Sequence, residues 1–229
     1  MTTEPGPPRI TAGARLLVTG GAGFIGSCYV RDVLGRADGT RITVLDKLTY
    51  AGNRANLAAV AADPEQAARL RFVQGDIAEP GIVGPLVADA DAVVNFAAES
   101  HVDRSILDPE AFLRTGVIGV HVLLESVRAA SFARTARGDA PVRYLQVSTD
   151  EVYGSVAEGR STETDRLDPR SPYSAAKAAG ELLVQSYVVT HGVDAVVTRG
   201  SNTYGPFHHP EKLIPLFLTN AIDDLDLPM

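Results

Sequence analysis

Seven consecutive residues, Ser148-Thr149-Asp150-Glu151-Val152-Tyr153-Gly154, put two carboxyl groups side by side at the end of an apolar run. Tyr173-Ser174-Ala175-Ala176-Lys177 follows shortly after. Tyr173 and Lys177 are four apart, so on a helix they share one face. An ammonium and the positive ring of an oxidised nicotinamide would both lower the phenol pKa. The tyrosinate then takes a hydroxyl proton as a hydride leaves the same carbon. The carboxyl pair adds a second reaction. Oxidising a sugar hydroxyl to a ketone makes the adjacent C–H acidic. One carboxylate removes that proton, and a carboxylic acid protonates the departing hydroxyl; two carboxyls in different environments hold those opposite states. Thr149 offers a hydroxyl to the ketone oxygen. These residue types in this order point to redox chemistry coupled to loss of water. The bland alternatives are an exposed acidic turn and a Tyr/Lys pair that merely packs.

A dinucleotide needs a seat. Thr19-Gly20-Gly21-Ala22-Gly23-Phe24-Ile25-Gly26 joins the first expected strand to the first expected helix. Gly20, Gly23 and Gly26 allow a tight turn, close approach of backbone N–H groups to a pyrophosphate, and close helix–sheet packing. The helix N-terminus then faces the phosphates. Asp46, at the end of the second strand, suits both ribose hydroxyls and repels a 2′-phosphate, which favours NAD over NADP. Gly75-Asp76-Ile77 ends the third strand and is placed to meet an adenine. After the fourth strand come Asn95-Phe96-Ala97-Ala98-Glu99-Ser100-His101-Val102-Asp103-Arg104. Small Ala97 and Ala98 let a cofactor lie against the backbone. His101 has no Cys/His set around it and reads as a hydrogen-bonding residue rather than a metal ligand.

Elements must bring these segments together. Strands are expected at 14–19, 41–45, 70–74, 92–96, 142–148 and 195–199. Helices are expected at 24–35, 53–62, 80–88, 115–131, 172–190 and 211–222. Alternating strand and helix with continuously apolar strands means an α/β fold, a doubly wound parallel sheet covered on both faces. Long loops at 97–111 and 149–171 follow strands, at the carboxyl edge where such sheets bind ligands. Of 229 residues 45% are hydrophobic, which fits a globular core. Net charge is −7 with no basic tract, which disfavours nucleic acid and anionic membranes as partners. No unbroken apolar run approaches the length of a membrane span. The single cysteine, Cys28, excludes an internal disulfide and suggests a reducing, cytoplasmic setting. The chain has three lysines, Lys47, Lys177 and Lys212, against 18 arginines, and all three fall inside segments of interest.

Together the segments TGGAGFIGS, LDKLTYAGN, GDI, AAESHVDRSI, STDEVYG, YSAAK and RGSNTYGPFHHPEKLIPLF run from residue 16 to about 222. They resemble the extended short-chain dehydrogenase/reductase superfamily and, within it, the dTDP-glucose 4,6-dehydratases. The resemblance implies a Rossmann-type NAD-binding domain over 14–200 that carries the catalytic residues, after a flexible tail at 1–13. It implies that 201–229 begins a C-terminal substrate domain that is otherwise largely absent from this chain, so that NAD binds better than substrate. It implies a lyase that converts dTDP-glucose to dTDP-4-keto-6-deoxyglucose in deoxysugar biosynthesis. By resemblance Tyr173 is the base supported by Lys177, Thr149 holds the ketone oxygen, Asp150 is the acid and Glu151 removes the C5 proton. The NAD site would comprise Gly20, Gly23, Phe24, Ile25, Gly26, Asp46, Lys47, Leu48, Thr49, Asp76, Ile77, Ala97, Ala98, Thr115, Tyr173, Lys177 and Thr203. Ser100, Thr149, Asn202, Lys212 and Leu213 would touch the nucleotide sugar, with no metal. Two positions depart from the pattern: Gly116 stands where an Asn is usual, and Thr203 replaces a second Asn. A homodimer through helices 115–131 and 172–190 is implied, and both carry apolar residues on more than one face. The competing readings are another nucleotide-sugar 4,6-dehydratase, an epimerase or decarboxylase, or an NAD-binding domain without turnover.

Overall fold

The first strand, β1 (Arg15–Thr19), reads Arg-Leu-Leu-Val-Thr with no polar alternation, and all but Arg15 are buried. A strand buried on both faces belongs inside a parallel sheet. The computed structural model describes residues 11–99, 102–156 and 158–227, and for residues 102–104 the backbone alone. Ser100 and His101 lie outside the described residues, as do residues 1–10 of the expected tail.

From β1 the chain enters α1 (Phe24–Gly35) and returns as β2 (Arg41–Asp46). A 3₁₀ turn at Arg54–Leu57, α2 (Ala58–Ala62) and α3 (Pro64–Ala67) lead to β3 (Leu70–Gln74). Then come α4 (Pro80–Ala88) and β4 (Ala92–Asn95). Next are α5 (Val102–Leu107), α6 (Pro109–Leu113), a π-helical turn at Arg114–Gly119, α7 (Val120–Thr135) and β5 (Arg143–Thr149). A 3₁₀ turn at Asp150–Tyr153, α8 (Pro172–His191), β6 (Ala195–Gly200) and α9 (Leu213–Ile222) complete the described chain.

Six strands form one sheet in the order β3-β2-β1-β4-β5-β6. Every pairing is parallel; Leu16, for example, lies opposite Ile42 of β2 and Ala92 of β4. The strand order reverses between β1 and β4, so the loops leaving them part and open a crevice at the carboxyl edge. Helices cover both faces. One core joins Leu17, Val93 and Tyr144 to residues of α4, α7 and α8. The other joins Leu16, Val18 and Val44 to Val30 and Leu34 of α1.

The expected elements recur with shifted ends, and two regions differ in kind. The stretch expected as a loop at 97–111 holds α5 and most of α6. Pro109 at the first position of α6 starts a helix there, and π-helical backbone carries it into α7. The helix expected at 53–62 is half 3₁₀, because Asn53 accepts from the Ala55 amide and tightens the first turn. The π turn brings α7 against α8. A Cβ on Gly180 would lie 2.8 Å from the Gly116 carbonyl oxygen, and one on Gly116 would lie 3.1 Å from the Ala176 Cβ. Glycine at 116, where the resemblance led to Asn, thus belongs to a close helix crossing. The helical stretch Pro109–Thr135 is long and apolar enough by composition to cross a membrane. Here Val120, Leu123, Leu124 and Val127 of that stretch lie inside the core shared with α4 and α8.

An ion network closes the opposite edge of the sheet. Asp91 accepts from the Arg15 amide at 2.9 Å, from Arg15 Nη2 at 2.9 Å and from Arg134 Nη2 at 2.9 Å. Burial opposes the charge, but Arg15 and Arg134 hold the carboxyl at about 2. A folded-state value below the unfolded one stabilises above the unfolded pKa and is lost as pH falls toward the folded pKa. Asp91→Asn is therefore expected to destabilise by about 1 kcal/mol at neutral pH, discounted for partial exposure. The deficit should shrink below about pH 4. Urea melts of both proteins across that range would reveal it, and a pH-independent deficit would reject the ion network as its source.

Candidate active site

The turn after β1 is shaped for a diphosphate. Gly20 has φ +68, and a Cβ there would sit 2.6 Å from the Ala97 amide nitrogen. A Cβ on Gly26 would overlap the Gly20 carbonyl oxygen. Gly23 is the N-cap of α1, which has no side-chain cap and no acidic residue in its first turn. The amides of Phe24, Ile25 and Gly26 thus open a bare helix N-terminus onto the crevice. Asp46, 8% exposed, accepts from the Ala22 amide at 2.9 Å and from Leu48 at 2.8 Å. Those bonds tie the β2 end to the glycine turn and aim the carboxylate beside it. These features fit a dinucleotide: the cradle is one that any side chain would fill.

Asp76, expected to meet an adenine, follows the end of β3. It accepts from the Ala78 amide at 2.9 Å, from Lys47 at 3.0 Å and from Arg114 Nε at 3.4 Å. Burial works against its charge, yet these donors hold its pKa below the usual carboxylate range. Ile77 is 4% exposed and its side chain packs in the core against Gly119, so its backbone alone is left for a ligand. Leu48 has φ +56, and Thr49 and Thr115 are half-buried. A buried polar chain spans the switch point. Thr19 donates to Asn95 at 2.5 Å, and Asn95 donates to Gln146 at 2.9 Å and to the Tyr144 hydroxyl at 3.2 Å. Asn95 Oδ1 also accepts from the Ala97 amide at 3.2 Å. This fixes Ala97 and Ala98 where the strand leaves the sheet.

The reactive residues meet where β5 ends. Thr149 caps the 3₁₀ turn by accepting from the Glu151 amide at 3.2 Å, which turns both carboxyls out of the sheet. Ser171 opens α8 with a capping box to Ser174, which sets Tyr173 and Lys177 on the face toward β5. Tyr173 lies beside Thr149 and packs edge-on against Phe112, with ring centroids 6.3 Å apart. Burial, then the charges of Glu151 and Asp150, push the Tyr173 phenol up to about 12. The lowering expected from Lys177 together with an oxidised nicotinamide concerns the NAD-bound protein. Lys177 donates to the Val147 carbonyl at 2.6 Å, and its own pKa is drawn down to about 8 by burial, against the pull of Glu181. Activation of the phenol therefore calls for an added positive charge. Glu151 is raised by burial and by Asp150, with Lys212 opposing. A raised carboxylate is the stronger base once ionised.

Asp150 and Glu151 form the wall of a groove of about 1060 Å³ that Asn202 also lines. Asn202, Thr203 and Leu213 are exposed, and Lys212 is half-buried. Over the glycine turn, His208 stacks on Phe24 at 4.4 Å and Arg31 lies 4.5 Å over the Phe207 ring. Glu181, Arg199 and Tyr153 join the cluster from below and were not foreseen as a group. Glu181 follows Lys177 by four residues, so helical spacing was the available signal.

Sheet order, glycine turn and the Tyr/Lys pair on α8 define a dinucleotide-binding protein of the short-chain dehydrogenase/reductase class. The family model described as GDP-mannose 4,6 dehydratase matches residues 17–226, and the chain belongs to that family. It is 51% identical over 219 residues to a dTDP-glucose 4,6-dehydratase of Streptomyces niveus, covering 94% of this chain and 61% of that one. It is 50% identical to the low-salt glycan biosynthesis protein Agl12 of Haloferax volcanii, covering 93% of this chain and 64% of the relative. The crystal structure of DesIV, a dTDP-glucose 4,6-dehydratase from Streptomyces venezuelae with NAD and TYD bound, superposes with a TM-score of 0.84 at 51% identity. That match covers 93% of this chain and 64% of DesIV. The chain thus spans about three-fifths of the length of these relatives.

Proposed function

We propose that this chain binds NAD and carries the catalytic residues for dehydration of dTDP-glucose to dTDP-4-keto-6-deoxyglucose. The observation that carries the reading is the meeting of Thr149, Asp150 and Glu151 with Tyr173 at the carboxyl edge, beside a glycine cradle. The glycine turn and Asp46 would hold NAD, which would supply reversible hydride transfer, from C4 of the sugar and back to C6, with no net consumption. Tyr173 takes the C4 hydroxyl proton, with Lys177 as its support, and the Thr149 hydroxyl holds the resulting ketone oxygen. Glu151 removes the C5 proton made acidic by that ketone. Asp150 protonates the C6 hydroxyl, which departs as water. Asp46 receives the adenosine ribose and Asp76 faces the adenine, while Asn202, Lys212 and Leu213 receive the nucleotide sugar. Residues 14–200 form the NAD-binding domain and 201–229 begin the substrate-binding region. The relatives' names favour dTDP-glucose over the GDP-sugar of the family description.

Self-association belongs to the same reading. Ile118, before α7, and Leu182 and Val189 of α8 are exposed, and Val189 is 80% so. Apolar patches of that kind mark interfaces, and two copies paired through α7 and α8 form a four-helix bundle. Incubation with NAD and dTDP-glucose should yield a 4-keto-6-deoxy sugar, and sedimentation should give twice the chain mass. A C4-epimerised or unchanged sugar would reject the dehydration; a chain-mass particle would reject the dimer.

A further inference from the structure

Glu181 and Arg199 have no step in the dehydration, yet they join both halves of the reactive cluster. Glu181 is 4% exposed, and its Oε2 accepts from Arg199 Nε at 2.9 Å and Nη2 at 2.6 Å. Its Oε1 is buried with no hydrogen-bond partner among the described residues. Arg199 Nη1 donates to the Tyr153 hydroxyl at 2.6 Å, and the guanidinium lies 4.8 Å from the centre of the Tyr153 ring. Tyr153 is the last residue of the turn that begins with Asp150 and Glu151. A buried ion pair adds little net stability, because desolvation offsets attraction, and apolar side chains of similar volume pack as well. Apolar residues would not supply a negative charge one helical turn from Lys177, nor a directional hold on Tyr153.

We propose that Glu181 and Arg199 are positioning residues: Glu181 supplies a buried negative charge one helical turn from Lys177, and Arg199 holds the turn that carries Asp150 and Glu151. The proposal rests on the reading of that cluster as the site of dehydration. Lys177 is buried and its ammonium has the Val147 carbonyl as its hydrogen-bond acceptor. The described charge that acts on it is Glu181, from its own helix; Arg199 on β6 bears on it through Glu181. Glu181 raises the Lys177 pKa against burial. Removing the charge leaves burial unopposed, so the Lys177 midpoint must fall.

With three lysines in the chain, lysine labelled with 13C at Cε gives three signals. Lys47→Arg and Lys212→Arg assign the remaining one to Lys177. Its titration, followed from neutral to alkaline pH without cofactor or substrate, should have a midpoint at about 8 in the unsubstituted chain. Glu181→Gln should lower that midpoint by roughly one pH unit. An unmoved midpoint overturns the role of Glu181. Should Glu181→Gln fail to fold, Glu181→Asp keeps the charge but withdraws it by one methylene; the midpoint then falls by less, and an unmoved midpoint overturns the role equally. Tyr153→Phe removes the hydroxyl that Arg199 holds and keeps the ring. It should leave the Lys177 midpoint, the melting temperature and the NAD affinity unchanged while kcat falls about tenfold; an unchanged kcat overturns the role of Arg199. An unsubstituted chain that forms no 4-keto sugar sinks the dehydration and the turn half together, whereas the Lys177 titration is read independently.

Discussion

Glu151→Gln is expected to lower formation of the 4-keto-6-deoxy sugar by about 10²- to 10⁴-fold, the usual contribution of a positioned proton-transfer group. The amide keeps the shape of the carboxylate and the Thr149 cap, whose donor is the Glu151 backbone amide. NAD affinity and melting temperature should therefore stay at their unsubstituted values. The residual activity should also change its pH dependence. In the unsubstituted chain burial and Asp150 raise the Glu151 pKa. The base form is thus lost at higher pH than for an ordinary carboxylate, and the rate should decline on the acid side from there. In the amide variant that acid limb should disappear. Product formation by both proteins under single-turnover conditions would test it. A Glu151→Gln rate within a few-fold of the original would remove Glu151 from the proton transfer.

Gly26→Ala is expected to weaken NAD binding by about 10- to 100-fold. The new methyl would overlap the Gly20 carbonyl oxygen, so the turn or the start of α1 must shift. Overpacking of this kind costs about 1–3 kcal/mol, and each 1.4 kcal/mol is tenfold in affinity. The amides at the α1 N-terminus lose their aim in the same movement. Calorimetric titration with NAD gives the affinity, and far-ultraviolet circular dichroism shows whether the sheet survives. A folded Gly26→Ala protein with undiminished NAD affinity would mean that the turn after β1 is not the pyrophosphate seat. Gly23→Ala is the useful contrast. A Cβ at Gly23 meets the Gly20 oxygen at 3.3 Å, at ordinary φ of −75, so the change should cost less.

Much of the architecture was legible because its signals are local. Continuous apolar runs in β1 and β4 announce strands covered on both faces, and the glycine turn between β1 and α1 follows from conformational needs that glycine alone meets. Pro172 and the Ser171–Ser174 box mark the start of α8 within a few residues of where it begins. The loop expected at 97–111 failed for an equally local reason. Short helices such as α5 and α6 are too brief to show an apolar period, and the helix expected from 115 in fact begins upstream, through the π-helical turn at Arg114–Gly119. Helix packing overrides propensity there: Gly116 and Gly180 let α7 and α8 approach closely.

The reactive residue types and their order were present in the chain before any fold: Tyr173 and Lys177 one helical turn apart, Asp150 and Glu151 adjacent behind Thr149. Covalent spacing alone establishes those relations. Their electrostatic states were not so established. The Tyr173 phenol rises to about 12 because the fold buries it beside two carboxylates, and Lys177 turns to the Val147 carbonyl instead of the phenol. Likewise the tie from Glu181 through Arg199 to Tyr153 joins α8, β6 and the turn after β5, separated by 18 and 46 residues of chain. Charge interaction depends on distance and burial in space, and both are set only when the strands take their order in the sheet.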